Sequence, residues 1–108
     1  MEKKTQEKIQ TLQLLEQNLQ NFLMQKQQFQ SQLVEIESAL SELGKAKEAY
    51  KIVGNIMVSS DKDALEKELK EKQETFEIRI RSIEKQENSI KDRAKKLQEE
   101  VLGEMKEK

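Results

Sequence analysis

No cysteine, histidine or proline occurs in this sequence. Without cysteine there are no disulfides and no thiolate metal sites. Without histidine the commonest general base is missing, without cysteine the thiolate nucleophile is, and the three glycines form no phosphate-cradling loop. Carboxylates are plentiful, but a helical rod has no enclosed pocket that would shift their pKa values. The chain is therefore expected not to be an enzyme and to hold neither metal nor cofactor. Aromatics are also scarce, at 4% against 38% charged residues. That is too polar for an ordinary globular core but suits long helices that bury only a seam. No sign of charge dominates: a formal net charge of −1 makes no electrostatic case for nucleic acid or an anionic membrane. No apolar run approaches membrane-spanning length, and the opening Met-Glu-Lys-Lys-Thr-Gln leads into no signal-peptide core. The expectation is a cytoplasmic protein with no nucleic-acid and no membrane partner.

What is present is a pair of heptad patterns. Spacing by threes and fours selects Leu12, Leu15, Leu19, Phe22, Lys26, Phe29, Leu33, Ile36, Leu40 and Leu43, nine of ten apolar. On a second arm it selects Leu69, Gln73, Phe76, Ile80, Ile83, Glu87, Ile90, Ala94, Leu97 and Val101, eight of ten apolar. A 3.5-residue repeat sustained this far specifies helices that pack along a narrow seam, and it argues against disorder, as the lack of proline does. The first helix is expected over about 3–43, with Gly44 as a left-handed C-terminal cap. The second is expected over about 61–106, with Ser60 and Asp63 as an N-cap pair and Asp61 and Asp63 favoured by the helix dipole.

Between the arms, about 49–60, the pattern changes to a β-hairpin. Ile52, Val53, Ile56 and Val58 are β-branched, and Gly54-Asn55 is a favoured two-residue turn. That turn pairs Val53 with Ile56, Ile52 with Met57, Lys51 with Val58 and Tyr50 with Ser59. One face then carries Val53, Ile56 and Val58, the other Tyr50, Ile52 and Met57. Both faces are apolar, and a lone two-stranded hairpin is marginal in water. Pairing with other subunits resolves this, which makes Tyr50, Ile52, Val53, Ile56, Met57 and Val58 the candidate assembly residues. The alternative is a hairpin folded back on its own helix ends.

The fold class expected is mostly α: a long antiparallel two-helix coiled coil with a single β-hairpin between the helices, in one domain over 1–108. Reversal about Gly54-Asn55 sets Leu40 opposite Leu69, Leu33 opposite Phe76, Leu19 opposite Ile90 and Leu12 opposite Leu97. A one-heptad shift preserves the same kind of matching. In either register Lys26 and Glu87 lie within one layer of each other, where a polar pair fixes register or else snorkels to water. Replacing Lys26 with leucine is expected to raise thermal stability. Between Ile9 and Val34 only Glu16 and Lys26 are charged. Apolar residues off the seam, among them Ile9, Leu14, Met24, Ile78, Leu102 and Met105, suggest a weakly selective apolar surface, to which methionine adds adaptability.

The order of heptad arm, Tyr50-Lys51-Ile52-Val53-Gly54-Asn55-Ile56-Met57-Val58 and second heptad arm resembles the β-type subunit of archaeal-type prefoldin over essentially the whole chain. The central stretch carries most of the specificity. Leu40 to Leu43 fits the family's first-arm ending, whereas Gly44-Lys45-Ala46-Lys47-Glu48 is less acidic than the family's linker. The resemblance implies an ATP-independent chaperone in which two α-type and four β-type subunits assemble through their hairpins. Coiled-coil ends capture unfolded client proteins and deliver them to a group II chaperonin. It makes Ile9, Leu14, Met24, Leu102 and Met105 the candidate client-binding residues. The competing readings are a structural coiled-coil adaptor for one folded partner and a nucleic-acid-binding arm, which would need a basic stripe that the second arm does not supply.

Overall fold

In the computed structural model, which describes residues 2–106, two long helices enclose a hairpin in the chain: α1 (Lys3–Lys45), β1 (Ala49–Val53), β2 (Ile56–Ser60) and α2 (Lys62–Lys106). Met1, Glu107 and Lys108, which the expected single domain includes, lie outside the described residues. The chain forms two compact units. One comprises residues 1–27 and 81–108, the other residues 28–80.

In the first unit the helical segments run antiparallel. Thr5 meets Glu104 and Lys26 meets Glu87, so rising numbers on α1 face falling numbers on α2. Leu15, Ile83 and Val101 are buried, and Leu12, Leu19, Phe22, Ile90, Ala94 and Leu97 are half-buried between the two segments. The pairing of Thr5 with Glu104 fits reversal about Gly54-Asn55. A shift of one heptad would bring Thr5 level with Leu97 or run it past the end of α2. Lys26 Nζ donates to Glu87 Oε1 at 2.7 Å, and Glu87 is 5% exposed. The pair does not snorkel: the lysine stays in the seam because a buried carboxylate holds it there.

In the second unit Ile36, Leu43 and Ile80 are buried, and Phe29 and Phe76 meet with ring centroids 5.7 Å apart. The Arg79 guanidinium sits over both rings, 5.6 and 5.9 Å from their centroids. This adds a cation–π contact beside the seam. The two strands pair antiparallel in the expected register, from Val53 with Ile56 to Tyr50 with Ser59, and one further pair joins Ala49 to Ser60. Gly54 has φ +62°, and among the described residues no non-glycine residue has positive φ. Left-handed glycine followed by an ordinary residue is the pattern of a type II′ turn, whose twist matches a hairpin.

Two expected helix ends are displaced. Gly44 is not a left-handed cap: α1 continues through it to Lys45 and closes with a tight turn in which Ala46 N–H donates to the Leu43 carbonyl at 3.2 Å. The Lys62 ammonium donates to the Ala46 carbonyl at 2.9 Å, satisfying an acceptor at this helix end that a left-handed cap would otherwise have to serve. Ser60 is not the N-cap of α2, because it is committed to the strand pair with Ala49. Asp61 takes that role one residue later: its carboxylate accepts from Ala64 N–H at 3.3 Å, and its carbonyl accepts from Leu65 N–H at 2.9 Å.

Candidate functional site

The hairpin carries apolar residues at consecutive positions, Ile52-Val53 on β1 and Ile56-Met57-Val58 on β2, so each strand sends apolar side chains to both sides. In a protein that buried one side, the other would be polar. Here Tyr50, Ile52, Val53, Ile56, Met57 and Val58 are all exposed, by between 40% and 68%. The hairpin is therefore not folded back on its helix ends. Ala49 at its base is buried, which anchors the strands without covering them.

Polar contacts brace the hairpin from its edges. Lys51 on β1 donates to Glu68 on α2 at 3.1 and 3.2 Å, and this bond, with the charge of the ammonium, holds the Glu68 carboxyl below its usual pKa. The Tyr50 phenol donates to the Glu48 carboxylate at 2.6 Å, which favours the protonated phenol and raises its pKa. Neither contact covers an apolar face. What the arrangement offers is a two-sided, pre-formed β surface with unpaired strand edges, suited to adding strands from other chains.

The second group of candidates lies in the unit of residues 1–27 and 81–108. Leu14, Met24, Leu102 and Met105 are exposed there. Ile9 is half-buried, because it flanks the seam next to Lys8. The antiparallel register sets Leu102 and Met105 level with the first turns of α1. Leu14 lies further along and Met24 further still, so the four are spread along the unit and not gathered at one level. Ile78 and Val34, also exposed, belong to the other unit.

Sequence reasoning missed the polar end of the seam. Thr5, 2% exposed, donates its hydroxyl to Glu104 Oε2, and Lys8 donates to Glu104 Oε1 and lies 3.2 Å from Glu100. These bonds raise the Lys8 pKa and lower that of Glu104. Continuing the heptad backward from Leu12 does reach Lys8 and Thr5, and continuing it forward from Val101 reaches Glu104. Their polarity hid them. Among the described residues there is no cluster of three or more acidic, histidine or cysteine side chains placed to hold a metal, and no helix is long and apolar enough to cross a membrane.

Comparison with known proteins points one way. The family model described as "Prefoldin subunit" matches residues 6–108. A prefoldin subunit beta from Archaeoglobus fulgidus is 41% identical over 93 residues, covering 83% of this chain and 80% of the relative. One from Pyrobaculum islandicum is 38% identical over 90 residues, covering 81% and 72% respectively. The crystal structure of the prefoldin beta subunit from Thermococcus strain KS-1 superposes with a TM-score of 0.88 at 33% identity, over 94% of this chain and 92% of that one.

Proposed function

The chain belongs to the prefoldin subunit family, and on that premise we propose that it is the β-type subunit of an ATP-independent cytoplasmic chaperone that captures unfolded proteins and passes them to a group II chaperonin. The observation that carries the proposal is the two-sided apolar hairpin, which its own chain leaves uncovered. Chains that share it gain by pairing edges and burying faces, and each well-covered side chain contributes about 1.5–3 kcal/mol. Two α-type and four β-type subunits would combine in this way. Leu14, Met24, Leu102 and Met105 would supply weak apolar contacts to clients, with Ile9 contributing at the seam's margin. Several arms acting on one client would add such contacts through effective concentration. The reading asks for no nucleotide.

The test is an aggregation assay on a denatured client, with this chain mixed with an α-type partner and no ATP, followed by addition of a group II chaperonin. Suppression of aggregation and then refolding after transfer are expected. Saturable binding to one folded protein, with no effect on aggregation, would replace the chaperone reading with that of a structural adaptor.

A further inference from the structure

We propose that the outward face of α1 from Gln10 to Gln27 is a charge-free amide track for extended polypeptide, reading the client's peptide groups and not its side-chain charge. The inference rests on the chaperone reading above and names what one surface of such a subunit recognises.

The seam of this unit takes Thr5, Leu12, Leu15, Leu19, Phe22 and Lys26 toward α2. The positions between them that point away fall to Gln10, Gln13, Gln17, Gln20, Asn21 and Gln27, with Leu14 and Met24 interspersed, and all eight are exposed. None is charged. Glu16 stands at the flank, and Lys26 is committed to Glu87 in the seam. The side-chain hydrogen bonds of this segment run through Thr11, which bonds back to the Glu7 carbonyl, and through Lys26, leaving the outward amides to solvent. In the same unit the outward positions of α2 include Lys85, Asp92, Lys95, Lys96 and Glu99. Both helices need solubility, and α2 obtains it from charge. Helix propensity does not explain the difference, because glutamine, lysine and glutamate are nearly equal in it.

An unfolded chain has one chemical feature along its whole length: peptide N–H and C=O groups without intramolecular partners. A glutamine or asparagine side chain offers two donors and an acceptor and can match either group in either chain direction. A fixed charge on the track would attract some clients and repel others, and its absence removes that bias. Leu14 and Met24 add apolar contact within the track, and methionine adapts to varied shapes.

The test uses the full chain assembled with an α-type partner and the variant Gln10→Ala/Gln13→Ala/Gln17→Ala/Gln20→Ala. Alanine raises helix propensity, and none of the four lies in the seam or hairpin, so native mass and helix content are expected to be unchanged. Dissociation constants are read for an acidic probe, reduced and carboxymethylated lactalbumin, and a basic one, reduced lysozyme, at about 0.05 and 0.5 M salt. Expected are similar wild-type affinities for the two probes with little salt response, and a loss of roughly tenfold for both in the variant. Unchanged or tighter binding by the variant would overturn the track while leaving the chaperone reading intact, since apolar contact alone would then suffice. Loss for one probe only, or an altered native mass, would overturn it too, the latter by making this face a subunit contact. A wild-type complex that binds neither probe would sink both readings.

Discussion

Ile36 and Ile80 are each 8% exposed, whereas Ile52 and Ile56, in the same unit, are 68% and 65% exposed. The side chain is the same and the outcome opposite, and the cause is periodicity. A helix that places its apolar residues every 3.5 positions has one stripe to bury, and a second helix suffices. A strand that places apolar residues at consecutive positions has two faces to bury, and a single hairpin has nothing to put against either. The seam is satisfied within the chain and supplies stability. The hairpin is not, and on the function proposed above other subunits are what cover it.

The strongest way to break this contrast is to make the hairpin polar. Replacing Ile52, Val53, Ile56 and Val58 together with serine or threonine should abolish assembly with an α-type partner, read by native mass, while circular dichroism keeps most of its helix signal. Assembly at full native mass would show that these faces are not the contact. A milder comparison uses one residue from each region in the isolated chain. Ile80→Ala should lower unfolding free energy by about 2–4 kcal/mol through lost burial and the cavity left behind. Ile52→Ala should change it by less than about 0.5 kcal/mol, because nothing in the chain covers that side chain. Urea denaturation of the two variants compares them directly, and equal losses would contradict the division of labour.

The seam's own exception is sharper than sequence suggested. On heptad reasoning Lys26→Leu raises stability. With Glu87 buried and accepting from Lys26, the single change strands a carboxylate, and the melting temperature should fall, corresponding to a loss on the order of 3 kcal/mol. Lys26→Leu combined with Glu87→Leu should restore or exceed the original value, since a packed apolar pair replaces two desolvated charges. A double variant no better than the single one would show that the ion pair is worth more than the packing.

The smallest expected effect is at the polar end. Hydrogen bonds from Lys8 and Thr5 hold the Glu104 pKa down, so its contribution is complete above the pKa of an unfolded glutamate and is lost as pH falls through the lower folded value. Lys8 has the opposite sign: bonded to Glu104 and Glu100, its pKa is raised, so its contribution is complete below the unfolded lysine pKa and lost as pH rises through the higher folded one. Amide protection factors in the first turns of α1, corrected for the intrinsic pH dependence of exchange, should therefore be highest between those limits and should fall in acid. Glu104→Gln should flatten the acid limb. An acid limb that persists in that variant would place the titrating group elsewhere.

Much of this was legible beforehand, for physical reasons that differ by region. Every heptad position from Leu12 to Leu43 and from Leu69 to Val101 is buried or half-buried, because a long repeat averages over local exceptions. The hairpin register followed from a two-residue turn, which leaves no slack in the pairing. Helix ends were harder. Gly44 looked like a cap, but α1 closes with a tight turn and the help of Lys62. Ser60 looked like a cap, but the sheet had first claim on it and Asp61 served instead. Thr5, Lys8 and Glu104 went unseen because an apolar pattern cannot register a polar layer.

The claim that matters most is that the hairpin's uncovered faces exist to be covered by other subunits. Native mass measurement of this chain mixed with an α-type partner tests it most directly. The account predicts a single species containing two α-type and four β-type subunits, lost when the hairpin is made polar. A chain that remains at its monomer mass of 12.7 kDa in the presence of that partner would contradict it.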